Sequence, residues 1–358
     1  MLKLRRLLYP VSHLYRLVTS VRNKLYDNGQ FKSFAFDRSL ISVGNLAVGG
    51  TGKTPMVAYL IEKLKDKYAV ATLSRGYGRK TKGFRIAGPQ DSARTLGDEP
   101  YQYFTTWPDD ITVAVGEDRS LAVTHILAEK PEVSVILLDD AFQHRRVKPQ
   151  FQILLTTYQN PFWNDTLLPS GNLRENKKGA KRANALVITK CPANLSSTMR
   201  TAYTNEAKAY LKTDVPILFS TINYLNPEPL FPALNGLEAR GAVILVTGLA
   251  NPAPLERYVS QHFILLAHYK YSDHHTFTQS NIQQLQDAYQ AAVSQYPKLV
   301  VLTTQKDAMR LLDSKIIDMV KKLPIYYLPI KMKFLDEDEH HFWQAIEPIL
   351  PQNSEVLD

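Results

Sequence analysis

The segment Ser42-Val43-Gly44-Asn45-Leu46-Ala47-Val48-Gly49-Gly50-Thr51-Gly52-Lys53-Thr54-Pro55 lies between a short β-like run and a helical one, and it constrains the fold of this 358-residue chain more than any other stretch. Its glycines at 49, 50 and 52 admit backbone angles that a Cβ forbids, so successive N–H groups can turn inward around an anion. This is the pattern of a phosphate-binding loop. Lys53 is placed to reach the β- and γ-phosphates of a nucleotide. Thr54 offers a hydroxyl to magnesium at the start of a helix, whose N-terminus also favours negative charge. Ala47 stands where G-x-x-x-x-G-K-[ST] opens on glycine. Even with alanine allowed there, average composition gives a chance match in a chain this long of roughly a few per cent.

Around this loop, β-like and helical runs alternate, as expected of a mostly parallel sheet with helices on both faces. Strands are expected near 39–45, 68–75, 111–115, 133–139, 151–157 and 184–190, and helices near 53–66, 118–130 and 197–212. A second alternating set follows the Pro-rich segment 226–232, with strands at 242–247, 263–267 and 299–303 and a helix at 281–294. It reads as a smaller α/β domain. Runs at 216–224 and 325–331 flank it and are able to pair as a two-stranded connection, and a final helix at 336–350 returns to the first domain. The expected organisation is an N-terminal segment (1–30), a core (31–215), the smaller domain with its flanking strands (216–331) and a C-terminal helix (332–358).

The N-terminal segment holds Lys3, Arg5, Arg6, Arg16, Arg22 and Lys24 against the single acid Asp27, so much of the net charge of +9 gathers at one end. Leu4, Leu7, Leu8, Val11, Leu14, Val18, Val21 and Leu25 recur at intervals of three and four and line one face of a helix, which Pro10 either kinks or begins. The uncharged run is far shorter than the about 20 residues a membrane span needs, and no A-x-A cleavage pattern follows it. An apolar face flanked by Arg and Lys suits the headgroup boundary of an anionic membrane. The bland alternative is a helix packed on the core with a solvated basic side. A single cysteine, Cys191, excludes an internal disulfide framework and points to the reducing cytosol.

The second chemical element is Val133-Ser134-Val135-Ile136-Leu137-Leu138-Asp139-Asp140-Ala141-Phe142-Gln143-His144. An apolar strand ending in acids puts Asp139 and Asp140 at the carboxyl edge of the sheet, beside the phosphate loop, where one or both would hold magnesium. Arg75, Tyr77 and Arg79, in Ser74-Arg75-Gly76-Tyr77-Gly78-Arg79, are candidates for contact with an anionic or sugar-bearing substrate. Asp98, in Leu96-Gly97-Asp98-Glu99-Pro100, is expected to cap a helix. Its functional alternative is to accept a proton from an attacking hydroxyl. Leu168-Pro169-Ser170-Gly171-Asn172-Leu173-Arg174-Glu175 is equally compatible with a surface ion pair at its end. In the smaller domain, Tyr271-Ser272-Asp273-His274-His275 invites either a capping Asp with exposed histidines or a histidine reaching across a cleft. Thr303-Thr304-Gln305-Lys306-Asp307-Ala308-Met309-Arg310 follows a strand.

Together these segments resemble the tetraacyldisaccharide 4'-kinase family, the lipid A kinases of Gram-negative bacteria, over nearly the whole chain. The resemblance rests on Val43-Gly44-Asn45 leading into Gly49-Gly50-Thr51-Gly52-Lys53-Thr54-Pro55, on Ser74 to Arg79, on Gly97-Asp98-Glu99-Pro100 and on Asp139-Asp140 with Phe142-Gln143-His144. Leu168-Pro169-Ser170-Gly171 with Leu173-Arg174-Glu175, Asp273-His274, and Thr303-Thr304 with Lys306-Asp307 complete it. It implies a P-loop kinase core, a smaller α/β domain on a two-stranded linker, and transfer of the γ-phosphate of ATP to the 4'-hydroxyl of a tetraacylated glucosamine disaccharide 1-phosphate, giving lipid IVA. The cofactors it implies are ATP and Mg2+. The setting it implies is the cytoplasmic face of the inner membrane, for a peripheral protein expected to be monomeric and to bind no nucleic acid.

Carried over by position, Asp98 is the catalytic carboxylate and His274 its partner. Lys53, Thr54, Asp139 and Asp140 handle ATP and magnesium, and Arg174 and Glu175 line the mouth of the site. Ala141 departs from the glycine expected after the acidic pair, and Ala47 from the opening Walker glycine. Two rival classes are a membrane-associated regulatory ATPase or GTPase and a non-enzymatic nucleic-acid or membrane binder. The first leaves Gly97-Asp98-Glu99-Pro100 unexplained and lacks the early lysine, its place being taken by Val48. The second calls for basic charge spread as a stripe, whereas here it gathers at the N-terminus.

Overall fold

The computed structural model describes residues 8–232 and 241–352. Lys3, Leu4, Arg5, Arg6 and Leu7 of the expected basic helix, and the last six residues of the C-terminal segment, lie outside them. Fourteen strands are present among the described residues: β1 Ser39–Asn45, β2 Val70–Ser74, β3 Arg85–Ile86, β4 Ile111–Val115, β5 Val135–Asp139, β6 Phe151–Thr157, β7 Ala185–Thr189, β8 Ile217–Tyr224, β9 Glu228–Pro229, β10 Ala242–Thr247, β11 Ile264–Lys270, β12 Val300–Thr304, β13 Ile325–Leu328 and β14 Ile330–Phe334. They form a nine-stranded sheet of order β14-β8-β7-β6-β1-β5-β2-β4-β3 and a five-stranded sheet of order β11-β10-β12-β13-β9.

The larger sheet is parallel from β8 to β4 and carries an antiparallel strand at each edge. Its central strands read as continuous apolar runs because both faces are covered. Alternate residues point to opposite sides. Ile41, Val43, Val135 and Leu137 join one buried cluster with Met56 and Leu60 of the Lys53–Leu64 helix and with Phe342 and Ile346 of the Asp338–Ile346 helix. Leu40, Ile136 and Leu138 face the other way, onto Ala122, Val123 and Ile126 of the Arg119–Glu129 helix. The smaller sheet is parallel but for β9. It is covered on one face by Ile282 and Leu285 of the Gln279–Val293 helix and on the other by Leu255 and Val259 of the Ala253–His262 helix.

Two expectations change in detail, and the structure decides how Pro10 and the N-terminal helix are placed. The partner of β8 is β14, in register from Tyr224 opposite Ile330 to Ser220 opposite Phe334, and not a strand that begins at Ile325. Pro329, with no N–H to donate, divides the 325–331 run, so that Ile325–Leu328 stays in the smaller sheet. Pro10 begins the Tyr9–Asp27 helix at its first turn and does not kink it. Asp98 is the first residue of the Asp98–Thr106 helix and not its cap; Gly97, at φ +96°, holds the cap position. Finally, the Tyr9–Asp27 helix turns its polar side inward. Ser12 and Thr19 are buried, while Leu8, Val11, Leu14, Leu17, Val18 and Val21 are exposed, Leu14 at 63 %.

Candidate active site

Near the end of β1, just before the phosphate loop, Phe142 passes so close to Gly44 that an added Cβ would lie 2.6 Å from Phe142 Cβ and 2.9 Å from its backbone N. Gly49 and Gly52 hold φ of +108° and +89°, the left-handed region that a side chain disfavours. The strand end of β7 braces the loop from outside: Lys190 Nζ donates to the Gly50 carbonyl at 2.6 Å and Thr189 Oγ1 to the Thr51 carbonyl at 2.8 Å. Thr51 itself is turned into the scaffold, its hydroxyl taking a 2.7 Å hydrogen bond from Asn45 Nδ2. Lys53 opens the following helix with its Nζ 3.6 Å from Asp140 Oδ1.

Asp139 ends β5, and Asp140 follows at φ +49°. Tyr103 donates to Asp139 Oδ2 at 3.1 Å and also meets the Thr54 hydroxyl. Asp139 Oδ1 is buried without a hydrogen-bond partner. Burial, with Glu99 and Asp140 adding to it, pushes the Asp139 carboxyl up to about 7. A buried, unpartnered carboxylate oxygen, on a side chain joined to Thr54 through the Tyr103 hydroxyl, is the hard oxygen donor that magnesium takes, so these residues fit the ion. Asp140 is differently placed. Burial alone would raise its carboxyl, but Lys53 and Arg174 outweigh that and bring it below the usual range, Arg174 Nη1 lying 2.9 Å from Oδ1 and 3.0 Å from Oδ2.

Arg174 owes its position to backbone pairing between its loop and the phosphate loop: its N–H donates to Leu46 O at 2.7 Å, and Val48 donates to Asn172 O at 2.8 Å. Glu175, next in sequence, points the other way. It is fully buried and accepts from Arg182 at 2.7 Å, Gln143 Nε2 at 3.0 Å and Asn23 Nδ2 at 2.9 Å, so it faces the Tyr9–Asp27 helix and not a cleft. Arg79 is turned inward, its Nη2 donating to Glu117 after β4 and to Gly83 O, each at 2.6 Å, with its side chain 2 % exposed and its Nε and Nη1 buried without partners. Arg75 and Tyr77 are exposed, and Tyr77 sets its ring edge to His274 at 5.3 Å between centroids.

Asp98 is where the two sheets' elements meet. Its Oδ2 lies 3.1 Å from His274 Nδ1, accepts from Arg310 Nε at 2.8 Å and forms an ion pair with Arg310 Nη2 at 2.7 Å. Among the described residues no donor is recorded on Oδ1. Burial raises the Asp98 carboxyl, yet His274, Arg310 and Lys306 together hold it below the usual carboxylate range. Lys306 Nζ lies 3.2 Å from His274 Nε2 and 2.8 Å from Glu99. With Nδ1–H donating to Asp98 and Nε2 accepting from Lys306, the 3.3 Å approach of Arg310 Nη2 to the same Nδ1 brings two donors together and is not a hydrogen bond. Asp98 and Tyr103 share one helix five residues apart, which puts the carboxylate about 7.5 Å along the axis from the residue that touches Asp139.

The fold joins Lys53, Asp140 and Arg174 next to Asp139 in one group and Asp98 with His274 in another, and pairs Arg79 and Glu175 elsewhere. Motif spacing gave no reason to single out Tyr103 or Arg119. Arg119, 3 % exposed, donates to Gly116 O and Glu117 O. Burial lowers its guanidinium to about 10 against the pull of Asp139 and Asp140. Its one sequence signal is its place in the turn after β4, at the same carboxyl edge.

A family model described as tetraacyldisaccharide-1-P 4'-kinase matches residues 4–350. The tetraacyldisaccharide 4'-kinase of Bacteroides thetaiotaomicron is 40 % identical, with 99 % of this chain and 95 % of the relative covered. That of Flavobacterium johnsoniae is 41 % identical over 94 % of this chain and 95 % of its own length. The crystal structure of the "apo" form of LpxK from Aquifex aeolicus in complex with ATP is 29 % identical, with a TM-score of 0.74 over 97 % of this chain and all of that one.

Proposed function

This chain belongs to the tetraacyldisaccharide-1-P 4'-kinase family, and from that premise we propose that its phosphate loop, its sheet-end aspartates and Asp98 form one phosphoryl-transfer site. The reaction is transfer of the γ-phosphoryl group of ATP to the 4'-hydroxyl of a tetraacylated disaccharide 1-phosphate in lipid A biosynthesis. ATP and magnesium are the cofactors.

In this reading the inward N–H groups of the phosphate loop and Lys53 hold the triphosphate, while Thr54 and Asp139, with Asp140 beside them, hold magnesium. Bound there, magnesium supplies positive charge against the phosphate oxygens. Lys53 and Arg174 bring cationic charge to the transferred group as its negative charge spreads over three oxygens. Asp98 takes the proton of the 4'-hydroxyl, and His274 holds the carboxylate in place. The observation that carries the reading is the pairing of the buried, unpartnered Asp139 oxygen with a phosphate-loop lysine 3.6 Å from the next aspartate.

The substrate stays in its bilayer, so the protein has to meet it there. We assign that contact to the Tyr9–Asp27 helix, whose buried serine and threonine and outward leucines and valines are the reverse of a helix packed on a core. No helix among the described residues is long and apolar enough to cross a membrane. The proposed setting is therefore peripheral, at the cytoplasmic face of the inner membrane. One chain carries every residue invoked, which favours a monomer. We also read residues 216–331 as a unit that closes on the core, because His274, Lys306 and Arg310 reach Asp98 and Glu99 from it.

The test is a thin-layer assay with radiolabelled ATP and the acylated disaccharide. Label should move to the lipid with the unaltered chain and not with Lys53→Ala, which should keep its fold. Undiminished turnover by Lys53→Ala contradicts the assignment, as would nucleotide hydrolysis with no labelled lipid.

A further inference from the structure

Arg310 belongs to the Gln305–Leu311 helix, follows a strand of the smaller sheet, and is 8 % exposed. It is held before it touches Asp98. Its Nη1 donates to Asp307 Oδ1 at 2.7 Å, and Asp307, wholly buried, is itself fixed by the Gly248 N–H at 2.9 Å and the Thr304 hydroxyl at 2.8 Å. The guanidinium therefore presents Nε and Nη2 in a fixed fork. Both prongs meet the same oxygen of Asp98, Oδ2, and His274 Nδ1 meets that oxygen too. These contacts all fall on Oδ2 and leave the other oxygen, Oδ1, as the basic atom presented to an incoming hydroxyl.

We propose that Arg310, braced by Asp307, is the positioning residue that commits Asp98 to one reactive oxygen and keeps it ionised. The inference rests on Asp98 being the base. In the transfer, the proton of the 4'-hydroxyl passes to Oδ1 as its oxygen bonds the γ-phosphorus and the bond to the departing ADP breaks. An Asp98 freed of Arg310 rotates between oxygens and takes a proton more readily. The remaining charged and titratable groups around it are Glu99 on its own helix, Tyr77 from the loop after β2, Asp273 and His274 from the loop after β11, and Lys306 beside Arg310. Of these, Lys306 pairs with Glu99 at 2.8 Å and acts on Asp98 from a distance, and among the described residues Arg310 is the Lys or Arg in direct contact with the carboxylate. Its attraction is the charge-assisted kind that deprotonation strengthens.

The test uses the full-length protein with Arg310→Ala, Arg310→Lys, Asp307→Asn and Asp98→Asn. Arg310→Ala should lower kcat on the order of 10²-fold, the range set by losing general-base efficiency, and leave the KM for ATP within about twofold. The acid limb of its kcat/KM profile should move to higher pH, and added guanidinium should restore part of the rate. Arg310→Lys should keep the limb near its original pH at reduced kcat, because an ammonium supplies charge without the fork. If Arg310→Ala fails to fold, Asp307→Asn should show the same limb shift in milder form. An unmoved acid limb and no response to guanidinium, with Asp98→Asn inactive, overturns the role of Arg310 and leaves the base in place. Full turnover by Asp98→Asn instead overturns the base assignment itself.

Discussion

His274 Nδ1 lies 3.1 Å from Asp98 Oδ2, so a loop of the smaller sheet touches the first residue of a helix that packs on the larger one. The bond holds, together with Arg310, a carboxylate on the first residue after a glycine cap. His274→Ala should therefore cost less than Asp98→Asn: kcat reduced about 10- to 100-fold, because Arg310 still holds the same oxygen. Asp98→Asn should reduce it to background. Steady-state rates of the two variants at saturating ATP decide the order.

The outward face of the Tyr9–Asp27 helix gives a second expectation. Leu14, Leu17 and Val18 are each more than half exposed and contribute no internal packing, so the triple change to serine should leave the thermal midpoint nearly unchanged. It should reduce co-flotation with anionic vesicles by an order of magnitude or more, at about 25 cal/mol per Å² of apolar surface no longer buried in lipid. Equal flotation of variant and parent would count against the docking face.

Glu175 should matter for stability before activity. Glu175→Gln removes the buried charge that answers the partly exposed Arg182, a loss of about 1–3 kcal/mol. Denaturant unfolding should show that loss, and the variant should also loosen the Tyr9–Asp27 helix through Asn23. Faster proteolysis between residues 23 and 33 would report it.

His144 gives a pH-dependent expectation. Burial, with Arg119 adding to it, lowers its imidazole from 6.5 to about 4, and its Nε2 accepts the Arg119 N–H at 3.2 Å. The folded state binds this proton less readily than the unfolded one, so the contribution is complete above about 6.5 and is lost as the pH falls toward 4. The thermal midpoint should drop more steeply between pH 7 and pH 5 for the parent than for His144→Gln. Parallel curves would show that the imidazole carries no such linkage.

What the sequence made readable follows from where chemistry is tied to local pattern. The phosphate loop, Asp139-Asp140 at a strand end and the order of parallel strands are all written in glycines and in runs that alternate at close range, and each of these segments lies where expected. Asp98 and His274 could be paired only through a family resemblance, since 176 positions separate them. Arg310 sat in a quoted motif without a task, because nothing in its neighbours says which carboxylate it faces. Arg79 and Glu175 show the converse. A charged residue in a glycine-rich or polar loop reads as available to a ligand, and only the folded partners, Glu117 for one and Arg182 for the other, show that the charge is already answered. The inward side of the Tyr9–Asp27 helix was hidden because periodicity defines an apolar stripe without saying what it faces.

β8 and β14 run antiparallel at the margin of the larger sheet with Tyr224 opposite Ile330, so the polypeptide departs and comes back at almost one point. The hundred-odd residues between them are thus spliced into the kinase scaffold at one margin of its sheet, and a tight hairpin turn is long enough to replace them. A chain shortened in that way keeps the nucleotide pocket and loses the arginine and histidine that steady its base, which makes it a means of separating ATP capture from turnover.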